Sequence, residues 1–136
     1  QWALAKTRVQ EAWRVSRGVR GIRVAVVDTG LDYDHPDFAG RVILGPDIIN
    51  RDDDPRDDNG HGTHVAGIAA AGADDGIGVA GVAPEVTLVV VKCMNAQGEG
   101  TVASICEGIQ AAADLGAHVI NLSVGGREGY QARRCV

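Results

Sequence analysis

Two histidines and one aspartate stand where side chains could perform acid–base chemistry. His61 and His64 are three residues apart in a glycine-flanked stretch, where an acidic loop gives way to an apolar run. This pattern predicts a helix over residues 61–71 with His61 in its first turn. Asp28 follows the β-branched run 22–27, which predicts a buried strand with Asp28 at its carboxyl end. An aspartate that orients the imidazole of His61 would make that ring a general base for a nucleophile.

The same stretch admits metal binding, because histidines three apart share a helix face. No further pair completes a zinc site, since His35 and His118 stand in unrelated contexts. A nucleotide site is another possibility, because residues 76–81 read Gly-x-Gly-x-x-Gly. That fingerprint needs a strand before it and a helix after it, whereas here a helix precedes it and a strand follows. We therefore expect a tight loop at residues 76–81.

The acidic loop at residues 52–58 could bind a cation. It does not fit a calcium loop of the EF-hand type, because Pro55 and Arg56 fall where such a loop needs a free backbone and a ligand, and no Glu closes it. A looser calcium site and a solvated acidic face both remain open interpretations.

Strand and helix patterns alternate along the rest of the chain. Residues 86–91 and 119–123 predict buried strands, and Thr101 and Gly116 are the expected caps of an amphipathic helix between them. Modest strands are also expected around residues 41–44 and near residues 47–50. A capping box that begins at Thr7 predicts a short N-terminal helix. The alternation predicts an α/β fold, a three-layer, mostly parallel sheet with helices on both faces, in which sites collect at the carboxyl ends of the strands. With no internal repeat, the chain reads as one unit.

The composition fits this architecture and excludes some partners. The 136 residues are 45% hydrophobic but only 4% aromatic, so the core must be aliphatic. The net charge of −5 comes mostly from residues 47–58, which argues against nucleic acid as a partner. No apolar run is long enough for a membrane span. The three cysteines lack metal-ligand spacing and predict free thiols, with Cys93 and Cys106 as small buried groups.

Four motifs, in order and at the expected separations, resemble the subtilisin-like serine proteases (subtilases), and most closely their thermitase branch. They are Val26-Val27-Asp28-Thr29-Gly30-Leu31 with His35-Pro36-Asp37, His61-Gly62-Thr63-His64-Val65-Ala66-Gly67, Gly81-Val82-Ala83-Pro84, and Val119-Ile120-Asn121-Leu122-Ser123-Val124-Gly125-Gly126. The resemblance covers the chain to about Gly126. It implies a subtilisin-like fold, incomplete at its C-terminal side, with residues 1–136 forming the N-terminal portion of a single catalytic domain.

The resemblance also implies roles for individual residues. Asp28 and His61 match the family's catalytic Asp and His. His64 lies one turn further into the helix and is expected to have a packed, structural role. Two edges of a substrate cleft, which would bind extended peptide by β-addition, are implied as well. One edge resembles Gly98, Glu99 and Gly100, and the other Ser123, Val124 and Gly125.

Two structural calcium sites follow from the same resemblance. The residues of the tight site are Asp37 with loop positions Ala73, Asp75, Ile77 and Val79, and its N-terminal ligand is expected before Gln1. The residues of the additional site are Asp47, Asp52 and Asp54, weakened by Arg56 where the thermitase branch has a neutral ligand.

The chain departs from the family in one respect that bears on activity. It contains no segment like the family's Gly-Thr-Ser-Met-Ala nucleophile motif and no downstream oxyanion-hole Asn. We therefore expect a serine endopeptidase by family that is inert as this chain alone. The alternatives are a truncated, non-catalytic peptide- or calcium-binding fragment, or one half of a split protease. The expected partners are a peptide or protein substrate and a C-terminal half or propeptide, in a secreted or extracytoplasmic setting, without nucleic acid or membrane.

Overall fold

The structure is a computed structural model that describes residues 1–126. Within these residues there are four strands and four α-helices. In order, they are α1 (Trp2–Lys6), α2 (Val9–Ala12), β1 (Arg23–Asp28), a 3₁₀ turn (Pro36–Phe38), β2 (Val42–Asp47), α3 (His61–Ala70), β3 (Thr87–Lys92), α4 (Val102–Asp114) and β4 (Val119–Asn121).

The four strands form one parallel sheet in the order β2-β3-β1-β4. The central strand β1 pairs with β3 from Arg23 opposite Thr87 to Asp28 opposite Lys92. On its other side it pairs with β4, with Val24 opposite Val119. Because all strands run the same way, their carboxyl ends meet at one edge, with Asp28 between the segments that leave β3 and β4.

Helices cover both faces of this sheet. Val26 faces one side, in a buried cluster with Ala66 and Ala70 of α3. Its neighbour Val27 faces the other side, in a second buried cluster with Ala112 of α4. Successive strand residues point to opposite faces, so a run that is apolar at every position indicates a strand buried on both sides. The predicted three-layer α/β architecture is confirmed.

Both long helices lie where the sequence predicts them. The N-cap of α4 is Thr101, whose hydroxyl accepts a hydrogen bond from the Ser104 amide while the Ser104 hydroxyl accepts one from the Thr101 amide. Gly116 follows the helix with a φ of +74°, the left-handed conformation that glycine adopts without strain.

Two local predictions are wrong. Thr7 is not an N-cap but the C-cap of α1, where its hydroxyl donates to the Ala3 carbonyl, and Arg8 turns the chain into α2 with a φ of +60°. A strand expected near residues 47–50 is a turn, because the Asp47 carboxylate accepts hydrogen bonds from the amides of Ile49 and Asn50. In both places a local side-chain to backbone hydrogen bond prevails over the propensity pattern.

Within residues 1–126, no helix has both the length and the apolar character needed to cross a bilayer.

Candidate active site

Asp28 and His61 meet at the carboxyl edge of the sheet. The Nδ1 atom of His61 lies 2.7 Å from the Oδ1 atom of Asp28. The Asp28 side chain is fully buried, whereas the His61 side chain is 45% exposed. Asp28 Oδ1 also accepts a hydrogen bond from the Thr29 amide at 2.7 Å, which holds the carboxylate in place. With Nδ1 engaged by the carboxylate, Nε2 is the ring nitrogen left to exchange a proton with a reacting group.

Two glycines let the turn after β1 approach the start of α3. A Cβ atom on Gly62 would lie 2.2 Å from the carbonyl oxygen of Gly30. Gly30 itself has a φ of +112°, and a Cβ there would lie 2.5 Å from the carbonyl oxygen of Pro55. Any side chain at these positions would push His61 away from Asp28, because the backbones are already in contact.

A second carboxylate, Asp57, joins the two segments that carry the Asp28–His61 pair. Its oxygens accept hydrogen bonds from the Thr29 hydroxyl at 2.8 Å and from the Thr63 amide and hydroxyl at 2.9 and 2.6 Å. The amides of Asn59 and Gly60 add bonds of 3.0 and 2.9 Å. Burial alone would raise the pKa of Asp57, but the bonds from Thr63, Gly60 and Asn59 outweigh it and hold that pKa far below its usual range.

A buried lysine braces the same junction. The side chain of Lys92 is only 1% exposed and stands at the end of β3, opposite Asp28 in the sheet. Its Nζ atom donates to the carbonyl oxygens of Thr29 and Met94 at 2.8 and 3.0 Å. It also donates to Asp58 Oδ1 at 2.6 Å. A charged group this buried needs all of its protons satisfied, and these three acceptors provide that.

The prediction that the His64 side chain is packed against the rest of the fold is wrong. This side chain is exposed and lines a surface cavity with His35 and Asp37. Ala66 and Ala70 occupy the buried face of α3 instead. The structure thus brings only one of the two histidines of α3, His61, to Asp28.

The two predicted edges of a substrate cleft flank Asp28. Gly98, Glu99 and Gly100 leave β3 through a turn in which the Asn95 amide donates to the Glu99 carbonyl at 2.9 Å. A Cβ at Gly100 would lie 2.7 Å from the Cys93 carbonyl, so a small residue is required there.

The opposite edge follows β4. Ser123 is exposed, and its Oγ atom accepts a hydrogen bond from the Asn121 side chain at 2.9 Å. Val124 packs against the buried cluster on the α4 side of the sheet, and Gly125 is exposed. The two edges therefore stand on either side of β1, and the role of both in substrate binding stays a prediction.

Asp37 has the environment expected of a cation ligand. It is 3% exposed, and its Oδ1 atom is buried without a hydrogen-bond partner among the described residues. Its Oδ2 atom accepts from the Val79 amide at 3.0 Å. The loop folds so closely over this carboxylate that a Cβ on Gly78 would lie 2.1 Å from Oδ2. An unpartnered buried carboxylate oxygen costs free energy unless a cation or proton satisfies it, so the residues present fit calcium.

The remaining predicted residues of this site lie in the loop after α3. They are Ala73, Asp75, Ile77 and Val79, and between the last two lies Gly78, which has a positive φ. Asp75 Oδ1 accepts a hydrogen bond from the Ile77 amide at 3.0 Å. The loop is not a nucleotide fingerprint, since it follows a helix as expected. An N-terminal ligand was expected before Gln1, but Gln1 itself pairs its side-chain amide with the backbone of Ala80 and lines a cavity with Asp37.

The second predicted calcium set fits a cation less well. Asp47 is 1% exposed, and both of its oxygens accept from Asn50, one from the amide and the other from the side chain. Asp52 accepts from the Asp54 amide, and Asp54 accepts from the Tyr33 hydroxyl. No group of three or more His, Cys, Asp or Glu side chains within residues 1–126 has the arrangement of a metal site, so neither predicted set forms one from these side chains alone. These carboxylates act as turn-forming acceptors here.

Neither the helical serine nor the nearby cysteine offers a nucleophile beside His61. Ser104 is buried in the cap of α4, where its hydroxyl oxygen lies 2.9 Å from the carbonyl oxygens of both Cys93 and Thr101, and its single proton is donated to one of these two acceptors. Burial, with a smaller contribution from the Asp28 carboxylate, raises the pKa of the Cys93 thiol to about 12. The prediction of a buried free thiol is confirmed for Cys93, whereas Cys106 is disulfide-bonded.

The chain combines a three-layer α/β fold with an Asp–His pair at the carboxyl edge of its parallel sheet, and it belongs to the subtilase family. The model of that family matches residues 19–134. The chain is 48% identical to a thermophilic serine proteinase of Bacillus sp. (strain AK1), covering 92% of this chain and 31% of that protein. It is 43% identical to thermitase of Thermoactinomyces vulgaris, covering 95% of this chain and 46% of that protein.

Further relatives agree on the fold. The chain is 47% identical to the intracellular serine protease of Paenibacillus polymyxa, covering 85% of this chain and 36% of that protein. The crystal structure of a cold adapted subtilisin-like serine proteinase superposes with a TM-score of 0.69 at 36% identity, covering 79% of this chain and 38% of that one. The chain thus spans between about a third and a half of the length of these relatives.

Two residues of the site were missed by sequence reasoning. The sequence pattern places Asp57 only within an acidic loop, and Lys92, which follows the predicted strand 86–91, was not singled out. A signal existed for Lys92, because a lysine directly after four consecutive apolar residues of a buried strand requires acceptors of its own. No local signal marked Asp57 among its neighbouring aspartates, since its partners Thr29 and Thr63 lie in other segments.

Proposed function

We propose that this chain supplies the Asp–His part of a serine endopeptidase, with Asp28 and His61 as two members of its catalytic triad. The 2.7 Å contact between His61 Nδ1 and Asp28 Oδ1 carries this proposal. The serine nucleophile and the oxyanion-hole side chain come from sequence outside these 136 residues.

In the proposed reaction, His61 acts first as a base and then as an acid. Nε2 removes the proton of the serine hydroxyl as its oxygen attacks the scissile carbonyl. The protonated ring then gives that proton to the leaving amine, and an acyl-enzyme remains. Asp28 keeps the proton on Nδ1 and stabilises the positive charge of the ring. Water hydrolyses the acyl-enzyme with His61 again as the base.

The substrate in this proposal is an extended peptide. Residues 98–100 and 123–125 leave neighbouring strands on either side of β1, and their backbones are free of a further strand in the described structure. Such edges bind peptide backbone by β-addition, and small residues beside the cleft leave room for it. Side-chain preference would depend on residues outside these segments.

An exchange of segments tests the proposal. Residues 1–126 replace the matching part of thermitase, and hydrolysis of a peptide ester is measured for the chimera, for its His61→Ala variant and for the 136-residue chain alone. We expect turnover by the chimera, none by the variant and none by the chain alone. Turnover by the chain alone that His61→Ala abolishes would show that the nucleophile lies within the 136 residues.

The second candidate function is a non-catalytic peptide- or calcium-binding fragment, including one half of a split protease. The environment of Asp37 supports calcium binding in either case. Mixing the chain with a separately produced C-terminal half of a relative separates the two candidates. Recovered activity supports a split protease, whereas calcium-dependent peptide binding without complementation supports the binding fragment.

Calcium itself is part of the proposal as a structural ion. Asp37, with the carbonyl oxygens of the loop around Val79, would hold it and so tie that loop to the 3₁₀ turn. Calcium should raise the thermal midpoint of the chain relative to chelator, and Asp37→Asn should abolish that increase. Asp53→Asn, which removes an exposed carboxylate from another loop, is the matched control.

Secretion is proposed on the family resemblance. The relatives do not decide it, because one of them is named an intracellular serine protease. Detection of the natural protein in culture supernatant or in the cytosolic fraction tests it directly.

A further inference from the structure

We propose that Asp57 is a positioning residue for the Asp28–His61 pair, acting through the hydroxyls of Thr29 and Thr63. This inference rests on the proposed function, because it assigns Asp57 a part in orienting the catalytic base. Asp57 does not itself touch the reacting atoms.

The carboxylate of Asp57 is fully engaged on both sides. Its Oδ1 atom accepts from the Thr29 hydroxyl, the Asn59 amide and the Gly60 amide at 2.8, 3.0 and 2.9 Å. Its Oδ2 atom accepts from the amide and the hydroxyl of Thr63 at 2.9 and 2.6 Å. Five donors on one carboxylate hold it in a single orientation and keep it ionised.

On the Asp28 side, Asp57 acts through Thr29. Thr29 is fully buried and directly follows Asp28, to which it donates its amide hydrogen. Because its hydroxyl proton points to Asp57, the oxygen offers a lone pair to the Gly62 amide, which donates at 2.8 Å. The hydroxyl therefore links the end of β1 to the first turn of α3, and Asp57 sets its direction.

On the His61 side, Asp57 holds the residues before and after the imidazole. It accepts from Gly60, the N-cap of α3, and from Thr63, two residues beyond His61. The negative charge of Asp57 at the first turn also interacts favourably with the positive N-terminal end of the helix dipole. The Thr63 oxygen in turn accepts from the Asp32 amide at 2.9 Å, which joins the same helix start to the turn after β1.

Two hydrogen bonds, from the Gly62 amide to the Thr29 hydroxyl and from the Asp32 amide to the Thr63 hydroxyl, connect the start of α3 to the segment at the end of β1. They fix the distance between the His61 ring and the Asp28 carboxylate. His61 and Asp28 are 33 residues apart in the chain, so no local element sets their separation. Catalytic groups lose about 10²-fold in rate for a misplacement of about 1 Å. Loss of the Asp57 carboxylate would free both the Thr29 hydroxyl and the first turn of α3, so the imidazole would no longer be held against Asp28.

The first experiment reads the His61 tautomer in the 136-residue chain by ¹⁵N nuclear magnetic resonance and needs no activity. We expect a single Nδ1–H tautomer in the wild type. Asp57→Asn and Thr29→Val should shift the ring toward the Nε2–H tautomer that histidine favours in solution. Two controls should give the same signal as the wild type. Thr29→Ser keeps the hydroxyl, and Asp53→Asn removes a charge from the loop that contains Asp57.

Each outcome of this experiment decides. An unchanged tautomer in folded Asp57→Asn or Thr29→Val would overturn the proposal, as would a wild-type ring without a single tautomer. If Asp57→Asn does not fold, the comparison of Thr29→Val with Thr29→Ser decides, because neither changes the charge. A backbone amide spectrum reports whether each variant is folded.

The second experiment uses the chimera with thermitase. Asp57→Asn should lower kcat by about 10²-fold with little change in KM, because the variant misplaces the base and leaves the cleft edges intact. Thr29→Ser should retain most of the activity. If the unmodified chimera shows no turnover, the proposed function fails, whereas normal turnover in Asp57→Asn contradicts only the positioning role.

Discussion

Asp28 and His61, 33 residues apart in sequence, are joined by a 2.7 Å contact between a fully buried carboxylate and a half-exposed imidazole. The asymmetry of exposure suits the roles proposed for them. A buried carboxylate keeps its orientation, while an exposed ring can reach a substrate. The pair stands between two backbone segments that leave the flanking strands.

Asp28→Asn should abolish the function of the pair without unfolding the chain. The side chain keeps its size, but an amide does not stabilise the protonated ring and can select the wrong tautomer. We expect kcat of the thermitase chimera to fall by about 10⁴-fold, with a thermal midpoint close to that of the parent. A fall of less than tenfold would contradict the role of Asp28.

Two glycines of α3 should respond to alanine in opposite directions. Gly62→Ala places a Cβ 2.2 Å from the Gly30 carbonyl, so we expect a loss of about 2 kcal/mol or more in the free energy of unfolding. At Gly67 the nearest atom to a new Cβ is a Val79 methyl at 4.0 Å, an ordinary contact. Gly67→Ala should stabilise by about 0.5–1 kcal/mol because alanine favours helix. Urea denaturation measures both, and equal effects would contradict the close approach.

Lys92→Met should destabilise the junction beneath the pair. Methionine has a similar length but leaves the carbonyls of Thr29 and Met94 without their donor, so we expect a loss of about 3 kcal/mol. Asp58→Asn is the matched control, because its amide oxygen still accepts from Lys92 and the side chain is half exposed. A cost of about 1 kcal/mol or less is expected there. Urea denaturation in which both variants cost the same would argue against a special role for the buried ammonium.

Asp57 should make the fold sensitive to acid. Because the folded-state pKa of this carboxyl is lowered, its contribution to stability is present above the ordinary value of 3.8 and is lost as pH falls through the lower folded-state pKa. The stability difference between wild type and Asp57→Asn should therefore be largest at neutral pH and should shrink below about pH 4. Denaturation series at pH 7, 4 and 2 measure it. A stability difference that grows on acidification would contradict a folded-state pKa of Asp57 below its ordinary value.

The sequence by itself determined the class of fold and singled out Asp28 and His61 as a candidate pair. The runs at 22–27 and 86–91, apolar except for Arg23 and Thr87, indicate parallel strands that are buried on both faces. The motifs around Asp28 and His61 identify the family. These features depend on residues close together in sequence, so they can be predicted from the sequence. The register of the strands and their order in the sheet depend on contacts between distant segments and were not predicted.

Only the tertiary structure decided how the pair is held. Asp57 is one of several aspartates in an acidic loop, and nothing in that loop distinguishes it from Asp53. Its partners belong to the end of β1 and the start of α3, and the hydrogen bonds form only when these segments meet. The exposure of His64 was decided in the same way, because Ala66 and Ala70 fill the buried face of its helix against the sheet. Contacts between segments distant in sequence leave no local pattern, which is the physical reason that these features could not be predicted.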